Sequence, residues 1–307
     1  TTEIYTLSLH DALPICSDIL GIGEPMKKIP IGISNFIQLL HDDCIYVDKT
    51  KEILFIVKNN RYALFSRPRR FGKSLTLDAI ETLFIYGTEP YFKGTYIAGH
   101  NEDGTPRWTE PKYPVLHLDF SAIVANDIPT LRSNFITIIN EQCHKLGIEE
   151  FPVENKRIGD VLSAFTIRLN KTYVLLIDEY DAPLNALIDK NEAFEAVREE
   201  IRVFYARIKE SSISGHLRLL LITGITRFRE VSIFSAGTNI KDISYHPQIA
   251  TIVGYTRDEI ELYFKDYIDI AIEKLNHCTI SSISQEQYLS YKERLLNKLA
   301  TYYDNIC

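Results

Sequence analysis

The sequence predicts an α/β fold in which a mainly parallel sheet is covered by helices on both faces. Short apolar strand candidates alternate with segments of helical periodicity, the order expected when a crossover helix follows each strand. Most candidates are nearly continuous apolar runs, as expected for strands buried on both faces. The five candidates are residues 62–66, 114–120, 173–177, 217–223 and, with the weakest pattern, 249–253.

Two of the predicted helices have a clear apolar face, over residues 74–86 and 194–208. Their apolar residues recur at helical spacing, so we assign these faces to the core rather than to a cofactor. Residues 101–112 are polar, contain glycine and proline, and hold the only tryptophan, Trp108. This composition predicts a surface excursion between a helix and a strand.

The pattern becomes purely helical after Gly254. Thr256 and Glu259 have the spacing of a capping box, which marks the start of a helix. We therefore predict an α/β core over residues 26–254 and a small all-helical lid over residues 255–307.

Composition favours a cytoplasmic protein without membrane insertion. The net charge is −7 with acidic and basic residues interleaved, which argues against a broad surface for duplex nucleic acid. No apolar run approaches the length that spans a bilayer, roughly 18 residues. The cysteines and histidines lack zinc-ligand spacing, so no zinc site is predicted and the thiols are expected to be reduced.

The first 25 residues are set apart from the functional argument. Residues 4–15 lack the basic flank and long apolar centre of a secretory signal. They resemble translated sequencing-adapter sequence instead. We expect the native protein to start at Met26, the only methionine, and residues 1–25 to be non-native or a disordered extension.

A phosphate loop is predicted over residues 66–77, SRPRRFGKSLTL. A strand leads into a loop that ends Gly72-Lys73-Ser74 and continues into an amphipathic helix, the context that such a loop requires. Backbone N–H groups would cradle the β-phosphate, Lys73 would contact the β and γ oxygens, and Ser74 would bind magnesium. The predicted ATP contacts come from Arg67, Arg69, Arg70, Phe71, Gly72, Lys73, Ser74 and Leu75.

The loop departs from the usual pattern at its first position. Arg67 stands where a glycine is usual, and Pro68 offers no N–H donor. A left-handed non-glycine residue costs about 1–2 kcal/mol. Each hydrogen bond to a charged phosphate contributes roughly 1.5–3 kcal/mol, so several such bonds outweigh the strain. The alternative for the arginines is a solvated basic turn.

Two adjacent carboxylates, Asp178 and Glu179, follow the strand at 173–177. This places them at the edge of the sheet where open α/β folds bind ligands. We predict that Asp178 binds magnesium and that Glu179 orients and deprotonates the attacking water. The alternative is a pair of surface carboxylates that cap the next helix, and we assign that capping role to Asp181.

The next strand ends in Thr223 and is followed by two arginines, so it adds polar groups to the same edge. Thr223 is predicted to sense the γ-phosphate. Arg227, or Arg229, is predicted to stabilise transition-state charge, within one chain or across a subunit interface. The alternative is an arginine paired on the surface with Glu230 or Asp242.

Five motifs together resemble the bacterial AAA-ATPase-like proteins, and the similarity runs from Lys27 to about Tyr267. The motifs are KKIPIGISNF (27–36), YVDKT (46–50), LFSRPRRFGKSL (64–75), LLIDEYD (175–181) and ITGITRF (222–228). The resemblance implies a P-loop NTPase core with three α/β/α layers and strand order 5-1-4-3-2. It also agrees with an arginine at position 67.

Members of that family commonly continue into a restriction-endonuclease-like nuclease domain. We expect the chain ending at Cys307 to be truncated, so that DNA would be a partner only through the missing domain. The YVDKT motif has no chemistry that the residues reveal. Asp48 and Lys49 are expected in an exposed strand-to-helix turn, or residues 27–36 to help wall the adenine.

The leading functional prediction is magnesium-dependent ATP hydrolysis that switches the lid against the core. Its output would be a neighbour in a homo-oligomer or the missing effector domain. The alternative is a nucleotide-gated interaction or nucleic-acid-binding module with little hydrolysis. A small-molecule phosphotransferase is a third reading, which would need an acceptor pocket beside the phosphate loop.

Overall fold

The protein contains a five-stranded parallel sheet with strand order β2-β3-β4-β1-β5. The computed structural model describes residues 26–153, 156–187, 191–225 and 240–303. Read from the other edge, the order is the predicted 5-1-4-3-2. The strands are β1 (Tyr62–Ser66), β2 (Val115–Asp119), β3 (Tyr173–Asp178), β4 (Leu217–Gly224) and β5 (Lys241–Asp242).

The fifth strand is not where the sequence pattern placed it. Lys241–Asp242 pairs with β1, whereas Ile249 ends a short 3₁₀ helix (Pro247–Ile249) and residues 250–253 form turns and bends. Ile249, Ile252 and Val253 are nevertheless buried in the core on one face of the sheet. The apolar pattern at 249–253 therefore reported burial, and the assignment of a strand there is wrong.

Helices cover the sheet on both faces. The ones before β2 are α1 (Phe36–His41), α2 (Thr50–Asn59) and α3 (Lys73–Tyr86). Those up to β4 are α4 (Ile128–Leu146), α5 (Ile158–Leu169), α6 (Ala182–Asn185), α7 (Asn191–Ile208) and α8 (Ser211–Ser214). The C-terminal ones are α9 (Arg257–Tyr263), α10 (Lys265–Asn276) and α11 (Gln285–Tyr303). No helix of the described residues is both long and apolar enough to cross a membrane.

Strand β3 shows why its sequence is uniformly apolar. All six of its residues are buried. Leu175 and Ile177 pack into the core that α4, α5 and α7 cover, while Val174 and Leu176 pack into the core that α2 and α3 cover. A strand with helices on both faces has no face exposed to solvent, so its residues do not alternate between apolar and polar. The sheet is therefore the middle of three layers.

The sheet register brings three strand ends to one edge. Ser66 of β1 pairs with Gly224 of β4, and Ile177 of β3 pairs with Ile222 of β4. In a parallel sheet the carboxyl ends lie together, so the loops after β1, β3 and β4 meet there.

The chain after Gly254 is helical as far as it is described. Helices α9, α10 and α11 enclose a small core of Ile260, Ile268, Ile272 and Leu296. The predicted capping box is confirmed, with Thr256 and Glu259 exchanging hydrogen bonds at the start of α9. We call residues 255–303 the C-terminal helical segment.

Candidate functional site

The loop between β1 and α3 has the backbone shape of an anion-binding turn. Arg70 and Gly72 have positive φ angles of 67° and 94°. Left-handed residues of this kind turn successive N–H groups toward one side, which makes a concave site for anions. Gly72 immediately precedes Lys73, the first residue of α3. The loop therefore directs N–H groups and a helix N-terminus at the same point.

Lys73 carries the positive charge of this loop. Its Nζ donates a hydrogen bond to the Pro68 carbonyl at 3.1 Å, and only 4% of the residue is exposed. Burial lowers the pKa of Lys73, while Asp178, Glu179 and Asp181 act in the opposite direction. The ammonium thus lies across the loop and close enough to the carboxylates after β3 to interact with them.

Asp178 is held by the neighbouring strand. It is 3% exposed, and its Oδ1 accepts hydrogen bonds from the backbone N–H of Glu179 at 2.9 Å and from the Thr223 hydroxyl. Thr223 is fully buried and does not line the cleft described below. Thr223 was expected to sense the γ-phosphate. The structure places its hydroxyl on Asp178, because the β3–β4 register sets the two strand ends side by side.

Glu179 has a backbone conformation that is costly for its residue type. Its φ is 46°, in the left-handed region that non-glycine residues rarely adopt. Such conformations cost of order 1–3 kcal/mol and gather at functional sites. Burial raises the pKa of Glu179, and Lys73 opposes that increase. Glu179 thus combines a strained backbone with a partly buried carboxylate.

Asp181 does not cap the helix that follows it. Its side chain makes no capping hydrogen bond to α6, although the residue occupies the N-cap position. The buried carboxylate instead accepts hydrogen bonds from the backbone N–H of Ile225, at 3.3 Å to Oδ1 and 3.2 Å to Oδ2. The predicted capping role is therefore wrong. Asp181 instead fixes the chain where it leaves β4, because both of its carboxylate oxygens accept from the Ile225 N–H.

Gly224 leaves no room for a side chain beside these groups. A Cβ at this position would lie 2.5 Å from the ring of Tyr180 and 2.8 Å from Oδ1 of Asp181. The end of β4 therefore packs directly against the segment that carries the acidic residues.

The three arginines of the loop have different surroundings. The Arg67 guanidinium donates to the carbonyls of Ser66 at 2.9 Å and Ser244 at 2.6 Å, so it ties β1 to the chain after β5. This differs from its predicted contact with phosphate. Arg69 is exposed and interacts electrostatically with Lys73 and Glu179. Of the three, Arg70 lines the cleft.

A cleft of about 270 Å³ connects the loop to an apolar region. One end is formed by loop and helix residues together with Glu179. The other end is formed by the N-terminal segment, the start of α2 and the chain that enters the C-terminal helical segment. We call the first group of lining residues the phosphate-loop end, with Arg70, Phe71, Gly72, Lys73, Ser74, Leu75 and Thr76. We call the second group the apolar end; it includes Pro30, Ile33, Leu39, Ile45, Val47, Ile53, Val253 and Tyr255, and also the polar residues Ser34, Tyr46 and Lys49.

Residues 30–36 are anchored to α3, the helix that follows the phosphate loop. Asp78 of α3 accepts a hydrogen bond from the backbone N–H of Phe36 at 2.5 Å and one from the Asn35 amide at 3.2 Å. Burial raises the pKa of Asp78, and the Phe36 N–H opposes that shift. The wall at 30–34 is therefore connected to the helix that begins at Lys73.

The YVDKT motif is a buried junction, so the expectation of an exposed turn is wrong. Lys49 is 7% exposed, and its Nζ contacts Glu259 Oε1 at 2.6 Å and Oε2 at 2.7 Å. Asp48 accepts hydrogen bonds from the N–H and hydroxyl of Thr50 and from the N–H of Tyr96. Sequence spacing gave no signal for the contacts of Lys49 with Glu259 and of Asp48 with Tyr96, because these partners are 210 and 48 residues away.

Comparison with known proteins gives the family. A family model described as Predicted AAA-ATPase matches residues 30–234, which is more than half of the chain. The chain belongs to this family. The match includes the phosphate loop, Asp178 and Glu179, and much of the wall of the cleft.

A curated relative of this predicted AAA-ATPase is the "Uncharacterized protein in vnfD 5'region" of Azotobacter chroococcum mcd 1. The two are 35% identical over 243 residues, which cover 78% of this chain and 45% of the relative. The chain thus spans about half the length of that protein. No solved structure matches.

The structure brings together most of the predicted site residues of this predicted AAA-ATPase. Lys73, Ser74 and Glu179 line one cleft, and Asp178 interacts electrostatically with Lys73. Arg227 and Arg229 lie outside the described residues. Within the described ranges, no three histidine, cysteine, aspartate or glutamate side chains are grouped as a metal site.

Proposed function

We propose that this chain binds ATP in the cleft, hydrolyses it with magnesium, and thereby switches the C-terminal helical segment against the core. One observation carries the proposal: a single cleft joins a cationic phosphate loop to an apolar pocket. A nucleoside triphosphate has the matching chemistry, with a highly charged chain at one end and a flat, largely apolar base at the other. The family assignment supports the same substrate.

The phosphate end would be held by the loop and Lys73. The N–H groups at the start of α3 and the Lys73 ammonium supply donors to phosphate oxygens. The Lys73 side chain is already partly desolvated, and the nearby carboxylates partly compensate its charge. Its donation to the Pro68 carbonyl places the ammonium across the loop, where the β- and γ-phosphates would lie.

The donor set fits magnesium. This ion prefers oxygen ligands and commonly takes only one or two from the protein, the rest being water and phosphate. Both hydrogen bonds to Asp178 within the described residues use Oδ1, so we assign Oδ2 to the metal. The Ser74 hydroxyl would be the second protein ligand. When bound, the ion would neutralise part of the charge on the β- and γ-phosphates.

Glu179 would accept the proton of the attacking water. It lines the cleft beside the phosphate loop, and burial raises its pKa, which makes the carboxylate a stronger base than an exposed glutamate. The left-handed backbone aims this side chain independently of Asp178, so the two carboxylates can serve different partners.

The apolar end would hold the adenine. Pro30 and Ile33 come from one side, and Val253 and Tyr255 come from the chain that enters the C-terminal helical segment. A base between these walls would contact the core and the helical segment together. This supports the proposed switch, because binding can change an equilibrium between two arrangements only by contacting them differently.

Arg227, or Arg229, would stabilise the charge of the transition state, in the same chain or across a homo-oligomer. An arginine in this role contributes about 10³ to 10⁵ in rate where it operates. Either residue follows β4 in the sequence, and Asp181 holds the backbone N–H of Ile225 at the end of that strand.

Isothermal titration of protein that starts at Met26 tests the proposal. We expect ATP to bind in the presence of magnesium, and Lys73→Met to abolish tight binding. Lys265→Met is the matched control, because Lys265 is an exposed lysine paired with Asp269 in the C-terminal helical segment. Absence of ATP binding by the unmodified protein, with magnesium present, would exclude the proposed function.

A further inference from the structure

Lys49 and Glu259 join two parts of the chain that are 210 residues apart. Both carboxylate oxygens lie within 2.7 Å of the ammonium, and the side chains are 9% and 20% exposed. Charges with so little solvent need a partner, because the loss of hydration is otherwise uncompensated. Each is the partner of the other.

Glu259 has a second role at the same time. Its Oε2 accepts a hydrogen bond from the backbone N–H of Thr256 at 2.7 Å, which completes the capping box of α9. The other end of α9 is also held by the motif, because the Asp48 N–H donates to the Tyr263 hydroxyl at 3.4 Å. Residues 48 and 49 therefore contact both ends of this helix.

The ion pair lies beside the cleft. Lys49 itself lines the cleft, and so does Tyr255, one residue before the capping box. The N–H of Gly254 donates to the carbonyl of Phe71 at 3.1 Å. A short path of contacts thus runs from the phosphate loop through Gly254 and Tyr255 to α9, and the Lys49–Glu259 pair returns it to the core.

We infer that Lys49 is a positioning residue that holds α9 on the core and so closes the apolar end of the cleft over the base of the nucleotide. Docking of the C-terminal helical segment and binding of the base then stabilise each other. The reciprocity is thermodynamic, since a coupling between two events acts equally in both directions. The inference rests on the proposed function, because it takes a nucleoside triphosphate as the occupant.

Two variants isolate the ion pair. Lys49→Met keeps much of the apolar stem and removes the charge. Glu259→Gln also removes a charge, but its amide oxygen can still accept from Thr256, so the capping box remains. Lys265→Met removes an exposed lysine from the same helical segment and serves as the control. Each protein is titrated with ATP and with inorganic tripolyphosphate, both with magnesium.

The two ligands separate positioning from general damage. Both variants are expected to weaken ATP binding by about tenfold or more, within the usual range of coupling between sites. Tripolyphosphate has no base to be enclosed, so its binding should change by less than about twofold, as should ATP binding to the control. The Kd of the double variant for ATP should be no higher than that of the single variant that binds ATP more weakly, because both substitutions remove the same interaction.

Hydrogen exchange gives an independent readout of the helix. ATP is expected to slow exchange in Arg257–Tyr263 of the unmodified protein and to leave exchange in Lys49→Met unchanged. Unaltered ATP affinity in both variants, or equal losses for ATP and tripolyphosphate, would overturn the role of Lys49 while leaving ATP binding in place. Unmodified protein that binds neither ligand would instead overturn the proposed function.

Discussion

Replacement of Glu179 by glutamine tests the chemistry of the site most directly. The change keeps the size of the side chain and its place in the cleft, and it removes the proton acceptor. Because both residue types meet the same left-handed backbone, the φ of 46° imposes a similar cost on each. We therefore expect a folded protein with an altered reaction rate.

The expected loss follows from the role of a general base. Such a group contributes about 10²–10⁴ in rate, which corresponds to roughly 2.7–5.5 kcal/mol at 1.36 kcal/mol per tenfold change. Binding should respond in the other direction. Loss of a carboxylate near the triphosphate removes repulsion, so Glu179→Gln is expected to bind ATP at least as tightly as the unmodified protein. A large fall in kcat without a rise in Kd is the result expected.

The pH dependence gives a second signature. Burial raises the pKa of Glu179 above the ordinary glutamate value of 4.5. The base works only when ionised, so kcat/KM should fall with decreasing pH through a midpoint above 4.5. The residual activity of Glu179→Gln should lack this limb. Since a raised carboxyl pKa disfavours the folded state once the group ionises, the variant should be at least as thermally stable as the unmodified protein at pH 8.

Single-turnover hydrolysis of ATP, together with titration of ATP binding, measures these quantities. Glu141→Gln is the matched control, because Glu141 is an exposed residue of α4. A Glu179→Gln rate above about a hundredth of the unmodified rate would contradict the role of Glu179 as a general base, since such a base accounts for at least about a hundredfold.

Three further substitutions test other residues of the candidate site and the strand beside it. Lys73→Met should weaken ATP binding by about 100-fold or more in calorimetry, because two hydrogen bonds to phosphate contribute about 1.5–3 kcal/mol each; an unchanged Kd would contradict this. Thr223→Val should raise the magnesium concentration for half-maximal hydrolysis by about 10–100-fold. The Kd for ATP without magnesium should stay unchanged if the effect is confined to metal binding. Gly224→Ala should cost about 1–3 kcal/mol of stability, because its Cβ would overlap Tyr180. That cost should lower Tm in calorimetry, and an unchanged Tm would show that Tyr180 can move.

The four long strands were predictable because burial on both faces leaves a uniform apolar run. Strand β3 is the clearest case, with every residue buried. Strand β5 gave no such signal, since Lys241 and Asp242 are exposed and polar. Its pairing depends on the open edge of β1, which supplies partners at Ala63 and Leu64. Sequence patterns report burial, whereas an exposed edge strand is specified by the neighbour that it joins.

The candidate site was predictable where its residues are local to one turn. The Gly72-Lys73-Ser74 sequence determines its own geometry, because the loop and the helix N-terminus are contiguous. Arg67 was assigned to the nucleotide from its place in this loop, and Thr223 from its place at a strand end. Their side chains bond instead to Ser244 and Asp178, which are 177 and 45 residues away. Those orientations follow from strand register, which no single motif contains.

The Lys49–Glu259 ion pair was not predictable from sequence spacing either. Sequence spacing identified Glu259 as a capping residue, because that role is satisfied three residues away. A carboxylate has two oxygens and several lone pairs, so it can cap a helix and bind an ammonium together. Buried ion pairs are often no more stabilising than apolar residues of similar volume. An ion pair at the junction of the cleft and the C-terminal helical segment is therefore better explained by positioning than by stability. Apolar replacement of both residues, Lys49→Met with Glu259→Leu, should keep the fold. In this double variant, ATP binding should no longer slow hydrogen exchange in α9.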